Sequence, residues 1–222
     1  MAIAENGPHS NHRGRLGNTI YYMLNGKNVS RVIGVNTKPP TDAQLKTRMT
    51  TKLCSTLLTR LHDFIQLGFK TEATLAMDNA FNQATKYNKP NIIKGDFPNL
   101  EIAYDQLLLS KGSLLPAQNW QVTQIPQGLL YTWATDPQMA WPQSTDQVMM
   151  LAYFPELEKS VYTLFGNSRL SGNALLEIAE PLKSHYMETY ISFIAADRSQ
   201  VANSIYTGSF NGQEPEMLKL NS

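Results

Sequence analysis

The sequence predicts an α+β fold that is mainly β, with an N-terminal β-hairpin, two helices and then an antiparallel β-sandwich. Three observations predict it. Asn25-Gly26 separates two β-prone runs, an apolar residue recurs every four positions from Leu45 to Leu61, and from about Asn91 the apolar period changes to two.

The hairpin covers Thr19 to Val32, TIYYMLNGKNVSRV. Asn-Gly suits a type I′ turn, which needs positive φ at both central positions. Strand alternation then sets Ile20, Tyr22 and Leu24 on one face. Upstream, residues 1–17 carry Gly14 and Gly17 and too few apolar side chains to fold alone, so they read as a flexible basic arm that orders only against something else. After Lys38-Pro39-Pro40, the run Thr41-Asp42-Ala43-Gln44 has the layout of a capping box. The helix it opens presents Leu45, Met49, Leu53, Leu57 and Leu61 as a stripe, widened by Leu58, Phe64 and Ile65. Arg48 and Lys52 fall on the opposite strip, and Gly68 is its stop. A second, shorter helix is marked by Met77, Ala80, Phe81, Ala84 and Tyr87 and ends before Pro90. Residues 18–90 therefore read as a hairpin and two-helix module.

Candidate strands follow at Leu100 to Tyr104, Gln106 to Ser110, Trp120 to Gln124, Leu129 to Thr135, Val148 to Tyr153, Val161 to Phe165, Ala174 to Ile178, Tyr186 to Ala195 and Val201 to Tyr206. Turn-rich stretches such as Asp136-Pro137 and Asn167 to Gly172 space them as in a sandwich. The first two lie in a connecting segment, 91–117, and the others in a domain spanning 118–210. The tail from Asn211 carries Gly, Pro and charge and is expected to fray.

At 222 residues, with 42% hydrophobic and 17% charged, the chain can bury a core without staples. Its single cysteine, Cys54, excludes an internal disulfide or a multi-thiolate metal site and reads as a packed thiol. The opening MAIAENGPHSNHRGR lacks the apolar core of a signal peptide, and no run approaches the roughly 20 apolar residues of a membrane span. The expectation is a chain made soluble in the cytoplasm, with assembly into a particle or filament left open. The net charge of +1 is unevenly spread: residues 1–60 hold nine Lys and Arg against Glu5 and Asp42, so they carry +7 and the rest −6. Such asymmetry bears on partners rather than on fold.

Two resemblances follow from particular residues. Trp133 stands where an early sandwich strand buries a tryptophan, and YISFIAADRSQVANSIYTGS, with Tyr190 as core tyrosine, resembles the closing hairpin of a fibronectin type III module. The resemblance implies an immunoglobulin-like antiparallel β-sandwich over 118–210. Nearly the whole chain is also similar to an uncharacterised family of Bacteroidota proteins. The residues that carry this are Gly14-Arg15-Leu16-Gly17-Asn18, Tyr22, Asn25-Gly26-Lys27, Val29, Arg31, Lys38-Pro39-Pro40-Thr41, Ala43-Gln44-Leu45, Arg48, Gly68-Phe69-Lys70, Ala80-Phe81-Asn82 and Asn203-Ser204-Ile205-Tyr206-Thr207-Gly208-Ser209. Members run from a G-K-V-G-N opening through P-T-x-A-Q to N-S-x-Y-x-G-S. This chain departs from that pattern with Arg15 for Lys and with Pro8 to His12 interrupting a glycine-rich stretch. The family implies no activity.

No convergent catalytic set emerges from the residues. His9 and His12 lack a helical pattern or a neighbouring carboxylate or thiol cluster, His62 sits near a helix end, and His185 opens a strand as an edge residue. No G-x-S-x-G elbow is present, and Gly14-Arg15-Leu16-Gly17 lacks the Lys-Ser/Thr ending of a phosphate loop. The pairs Glu156 with Glu158 and Glu177 with Glu180 read as solvated strand ends. Among the aromatics, alternation places Trp133 inside and leaves Trp120 and Trp141 as candidates for exposure.

The function these observations favour is a non-catalytic structural or interaction protein, self-assembling or docking on a protein partner through its basic arm and hairpin. Surface, filament and phage-particle components all fit. The partner-binding residues on this reading are Arg13, Arg15, Tyr21, Tyr22, Lys27, Arg31 and Lys38. The alternative is nucleic-acid binding by the same segment, with cations on phosphates and Tyr21 or Tyr22 near bases. A carbohydrate-binding module ranks third. No enzyme activity, cofactor, metal or small-molecule substrate is expected.

Overall fold

The computed structural model describes residues 13–35, 37–139, 141 and 143–212, and residues 2–4 through their backbone. His9, His12, most of the N-terminal arm and the tail beyond Gly212 lie outside the described residues. The chain divides into two compact units, Met1–Thr41 and Asp42–Ser222.

The first unit is an antiparallel sheet of β1 (Ala2–Ala4), β2 (Gly14–Leu16), β3 (Thr19–Leu24) and β4 (Lys27–Val32), in the order β1-β4-β3-β2. The expected hairpin is present, with Asn25 at φ 49° and Gly26 at φ 77° at its turn. Residues Gly14–Leu16 form a strand rather than loose arm, because Gly17, at φ 58°, turns them back onto Thr19–Tyr21.

In the second unit, α1 (Asp42–Arg60) starts directly after Thr41, as the capping layout predicts. It is followed by α2 (His62–Gly68), α3 (Lys70–Leu75) and α4 (Ala80–Asn88). Four helices thus stand where two were expected. The long apolar stripe is broken at Leu61, whose amide donates to the Leu58 carbonyl three residues back, and this tight bend starts a new axis. Gly68 does close α2, and its second role is contact: a Cβ there would lie 2.2 Å from the Leu109 carbonyl oxygen.

Beyond a two-stranded ladder of β5 (Ile93–Lys94) and β6 (Glu101–Ile102), seven strands make the sandwich. They are β7 (Gln121–Ile125), β8 (Gly128–Thr132), β9 (Gln147–Phe154), β10 (Lys159–Thr163), β11 (Asn173–Glu177), β12 (Met187–Ile194) and β13 (Ile205–Phe210). One sheet is ordered β11-β8-β7 and the other β10-β9-β12-β13, all antiparallel, as in an immunoglobulin-like sandwich. Three predicted strands differ from the structure. Leu100 to Tyr104 keeps only Glu101–Ile102 as strand, since Tyr104 already belongs to a 3-10 turn. Val201 to Tyr206 shifts to Ile205–Phe210, since Val201 makes only an isolated bridge to Ile194. Gln106 to Ser110 forms no strand: Gln106 ends a 3-10 turn, Tyr104–Gln106, and residues 107–110 stay outside any ladder, because side chains take backbone groups there. The Leu108 amide donates to Asn88 Oδ1 at 2.8 Å, and the Leu109 amide to Ser204 Oγ at 2.7 Å.

Two apolar cores flank the four-stranded sheet. Between the sheets lie Leu129, Tyr131, Trp133, Met150, Phe154, Ile191 and Phe193. On the other face, Met149, Leu151, Tyr153, Tyr190 and Ile194 meet Leu57, Leu58, Leu61, Phe64 and Ile65 of the helices. Because both its faces are covered, β9 reads as a continuous apolar run, VMMLAYF, instead of alternating. Tyr190 is a core tyrosine as expected, but on the helix side, where its hydroxyl donates to the Tyr104 carbonyl at 2.8 Å. Cys54 is buried there too, and burial pushes its thiol up to about 11.

The buried phenols carry a pH prediction. Burial holds the Tyr131 and Tyr190 hydroxyls well above the ordinary phenol value. In the unfolded chain they ionise near pH 10. Above that pH the native state binds more protons than the unfolded one, so stability is intact below about pH 10 and falls as pH rises further. Urea midpoints should be flat up to that pH and then drop, with tyrosinate absorbance appearing together with loss of near-ultraviolet dichroism. Ionisation of all ten tyrosines with the dichroism intact would contradict this.

Candidate interaction face

The candidate face is built by strand register. Residues directly opposed across antiparallel strands share a face. Arg15 opposes Ile20, which opposes Arg31; Tyr22 opposes Val29; Leu24 opposes Lys27. One face of the sheet therefore carries Ile20, Tyr22, Leu24 and Val29, with Arg15, Lys27 and Arg31 around them. Ile20, Tyr22 and Leu24 share this face as alternation predicts. Val29 is buried, Ile20 and Tyr22 are half-buried, and the three cations are exposed. Arg15 and Arg31 flank Ile20 from strands two apart, a spacing of about 10 Å. Arg15 Nε donates to the Gly17 carbonyl at 3.0 Å, which ties the base of its guanidinium to the turn.

Of the seven residues singled out from the sequence, Arg15, Tyr22, Lys27 and Arg31 come together on this face. Tyr21 points to the opposite one, which also bears the exposed Leu16, Met23 and Val32. Arg13 and Lys38 are exposed and lie outside the strands. Sequence reasoning listed the cations without their geometry; the strand register at Asn25-Gly26 was the signal that places them. Residues 13–41 contain five Lys and Arg and no Asp or Glu, so this face has no neutralising carboxylate within its own described unit. By unit, residues 1–41 carry +4, from five cations and Glu5, and residues 42–222 carry −3, from 14 cations and 17 carboxylates.

The residues weighed for chemistry are dispersed. His62 is exposed at the start of α2, and His185 Nδ1 lies 3.7 Å from Glu156. Glu158 pairs with Arg60 at 2.7 Å, and Glu180 with Lys183. Among the described residues, no group of three or more His, Cys, Asp or Glu is placed to hold a metal, and no helix is long and apolar enough to cross a membrane. Trp133 is buried with Nε1 donating to the Arg169 carbonyl at 2.7 Å, Trp120 is half-buried against the sandwich core, and Trp141 is 80% exposed.

A profile described as a family of unknown function, DUF6266, matches residues 11–208, from the end of the N-terminal arm into the last strand. The chain belongs to DUF6266. The match takes in parts of both units, so strands β2 to β4, which carry the cations, lie within the family's span, as does the sandwich up to residue 208. No curated protein and no solved structure matches this DUF6266 chain.

Proposed function

We propose that this protein is a non-catalytic interaction protein that assembles by docking its cationic N-terminal sheet on an acidic protein surface, the −3 unit of a second copy being the first candidate. The observation that carries the reading is the cationic face: Arg15, Lys27 and Arg31 around an apolar spine, in residues 13–41, which hold five cations and no carboxylate. Complementary charge speeds encounter and fixes orientation, while the half-buried Tyr22 and Ile20 supply area to desolvate. The outer strands β1 and β2 leave edges that a further strand could join. Opposite charge on the two units of one chain favours head-to-tail contact, which extends rather than closes unless the rotation forms a ring. The three-on-four sandwich, close to the fibronectin type III resemblance, serves on this reading as the rigid body that is displayed. The Bacteroidota resemblance and a surface, filament or particle setting are consistent with it.

Light scattering coupled to size exclusion tests this on the full chain at low and high salt, beside the double variant Arg15→Glu, Arg31→Glu. Assembly by the wild type that salt dissolves and the variant lacks is the expected result. Nucleic acid is the competing occupant of the same face. Retention of a labelled single strand at low salt by a chain that stays monomeric would replace the docking proposal with that one.

A further inference from the structure

A cleft of about 410 Å³ opens at one pole of the sandwich, lined by residues of the second unit. Its volume lies in the range of small-ligand sites, roughly 300–1,000 Å³. Two loops build it. The β8–β9 connection contributes Trp141, Gln143 and Asp146, and the β12–β13 connection contributes Asp197, Ser199 and Gln200.

Both loops are held in place. Asp146 is pinned by Arg169, and the Ala195 amide donates to the Gln200 carbonyl at 2.9 Å. Ser199 donates from its amide and its hydroxyl to Asp197 Oδ1, at 2.9 and 2.6 Å, and Gln200 Oε1 accepts from Ser113 Oγ at 3.1 Å. Against this ordered polar lining stands Trp141, a large apolar ring left 80% exposed. An indole is costly to leave in water and carries a negative π-face.

The combination selects a ligand chemistry. No Lys or Arg lines the cleft among the described residues, which disfavours phosphates and other anions. A cation is poorly served as well, because Asp146 already accepts two hydrogen bonds from Arg169 and Asp197 two from Ser199. What remains is a flat aromatic face beside amides, hydroxyls and carboxylates with one or two lone pairs to spare. A pyranose ring matches this: its C–H face stacks on the indole while its hydroxyls both donate to carboxylate and carbonyl oxygens and accept from amide N–H groups. We infer that this cleft binds a short neutral saccharide, stacked on Trp141 and hydrogen-bonded by Gln143, Asp197 and Gln200. Trp141 and Asp197 are thus ligand-binding residues of the second unit, at a site that shares no residue with the cationic sheet.

The test is titration of the full chain with xylohexaose, mannohexaose, cellohexaose and maltohexaose, followed by calorimetry and tryptophan emission, with hexa-arginine as the control. Since Trp133 is buried and Trp120 half-buried, an emission change reports chiefly on Trp141. At least one saccharide should bind saturably. Trp141→Ala should weaken that binding tenfold or more with an unchanged thermal midpoint, and Asp197→Asn should weaken it less. Silence from all four saccharides at millimolar concentration overturns the inference, as does binding that ignores Trp141→Ala. Binding of hexa-arginine alone overturns it in favour of a contact site for basic protein segments.

Discussion

Replacing Arg169 by Ala should destabilise the protein by about 3–5 kcal/mol, the range for removing one partner of a buried ion pair. Arg169 and Asp146 side chains are each only 4% exposed. The guanidinium makes two hydrogen bonds to Asp146 Oδ2, at 3.2 and 3.0 Å, and a third to the Leu115 carbonyl at 2.8 Å. It also lies 3.7 Å from the centre of the Phe193 ring. The backbone of the same residue accepts from Trp133 Nε1, so the pair ties the sandwich tryptophan, the segment before β7 and two loops together. Without Arg169, the Asp146 carboxylate is stranded in a site whose burial already raises its proton affinity. Arg169→Lys should recover little, because an ammonium cannot reproduce the fork to Asp146 and Leu115 at once. Pairing Arg169→Met with Asp146→Leu should cost less than either single truncation, since no buried charge is then left alone. Urea unfolding decides it; an Arg169→Ala midpoint equal to that of the wild type would refute this role.

Asn88→Ala should cost about 2–4 kcal/mol, from one or two buried backbone groups left without partners at about 1–3 kcal/mol each. Asn88 is fully buried at the end of α4. Its amide receives the Leu108 N–H at 2.8 Å and donates to the Leu108 carbonyl at 2.8 Å and the Ala84 carbonyl at 3.0 Å. The side chain thus stands in for a neighbouring strand. Asn88→Asp sharpens the test, because it keeps the acceptor but turns an oxygen toward two carbonyls. The carboxyl is then favoured in its protonated form when folded, which raises its proton affinity above that in the unfolded chain. Stability of this variant should rise as pH falls through the native value and fall as pH rises, opposite to a salt-bridged carboxylate. A variant with no such slope would contradict the bonding pattern.

Asn88 also shows why part of the fold was not legible in the sequence. Gln106 to Ser110 has the composition of a strand, and its apolar residues Leu107 and Leu109 are buried as a strand's would be. What it lacks is a strand beside it, and the substitution of Asn88 and Ser204 side chains for a ladder leaves no local mark. The sandwich strands were legible because turn residues separate them at regular intervals, and the hairpin because Asn25-Gly26 fixes its register. The break at Leu61 was hidden, since the four-residue apolar recurrence continues through it. For the candidate face, charge counting found the cations. Alternation already sets Tyr22 apart from Tyr21, but only register sets Arg15 and Arg31 on either side of Ile20. Trp141 was legible as a tryptophan outside the alternating strands; Asp197 and Gln200, which share the cleft with it, come from a loop more than 50 residues later and could not be matched to it in advance.

The charge-reversed double variant Arg15→Glu, Arg31→Glu is the most direct test of docking through the cationic sheet. Both residues are exposed, so the variant should fold with the wild-type thermal midpoint. Light scattering at low salt should then find the wild type assembled and the variant monomeric. Equal assembly by the two proteins, or a wild type that stays monomeric at every concentration, would contradict it.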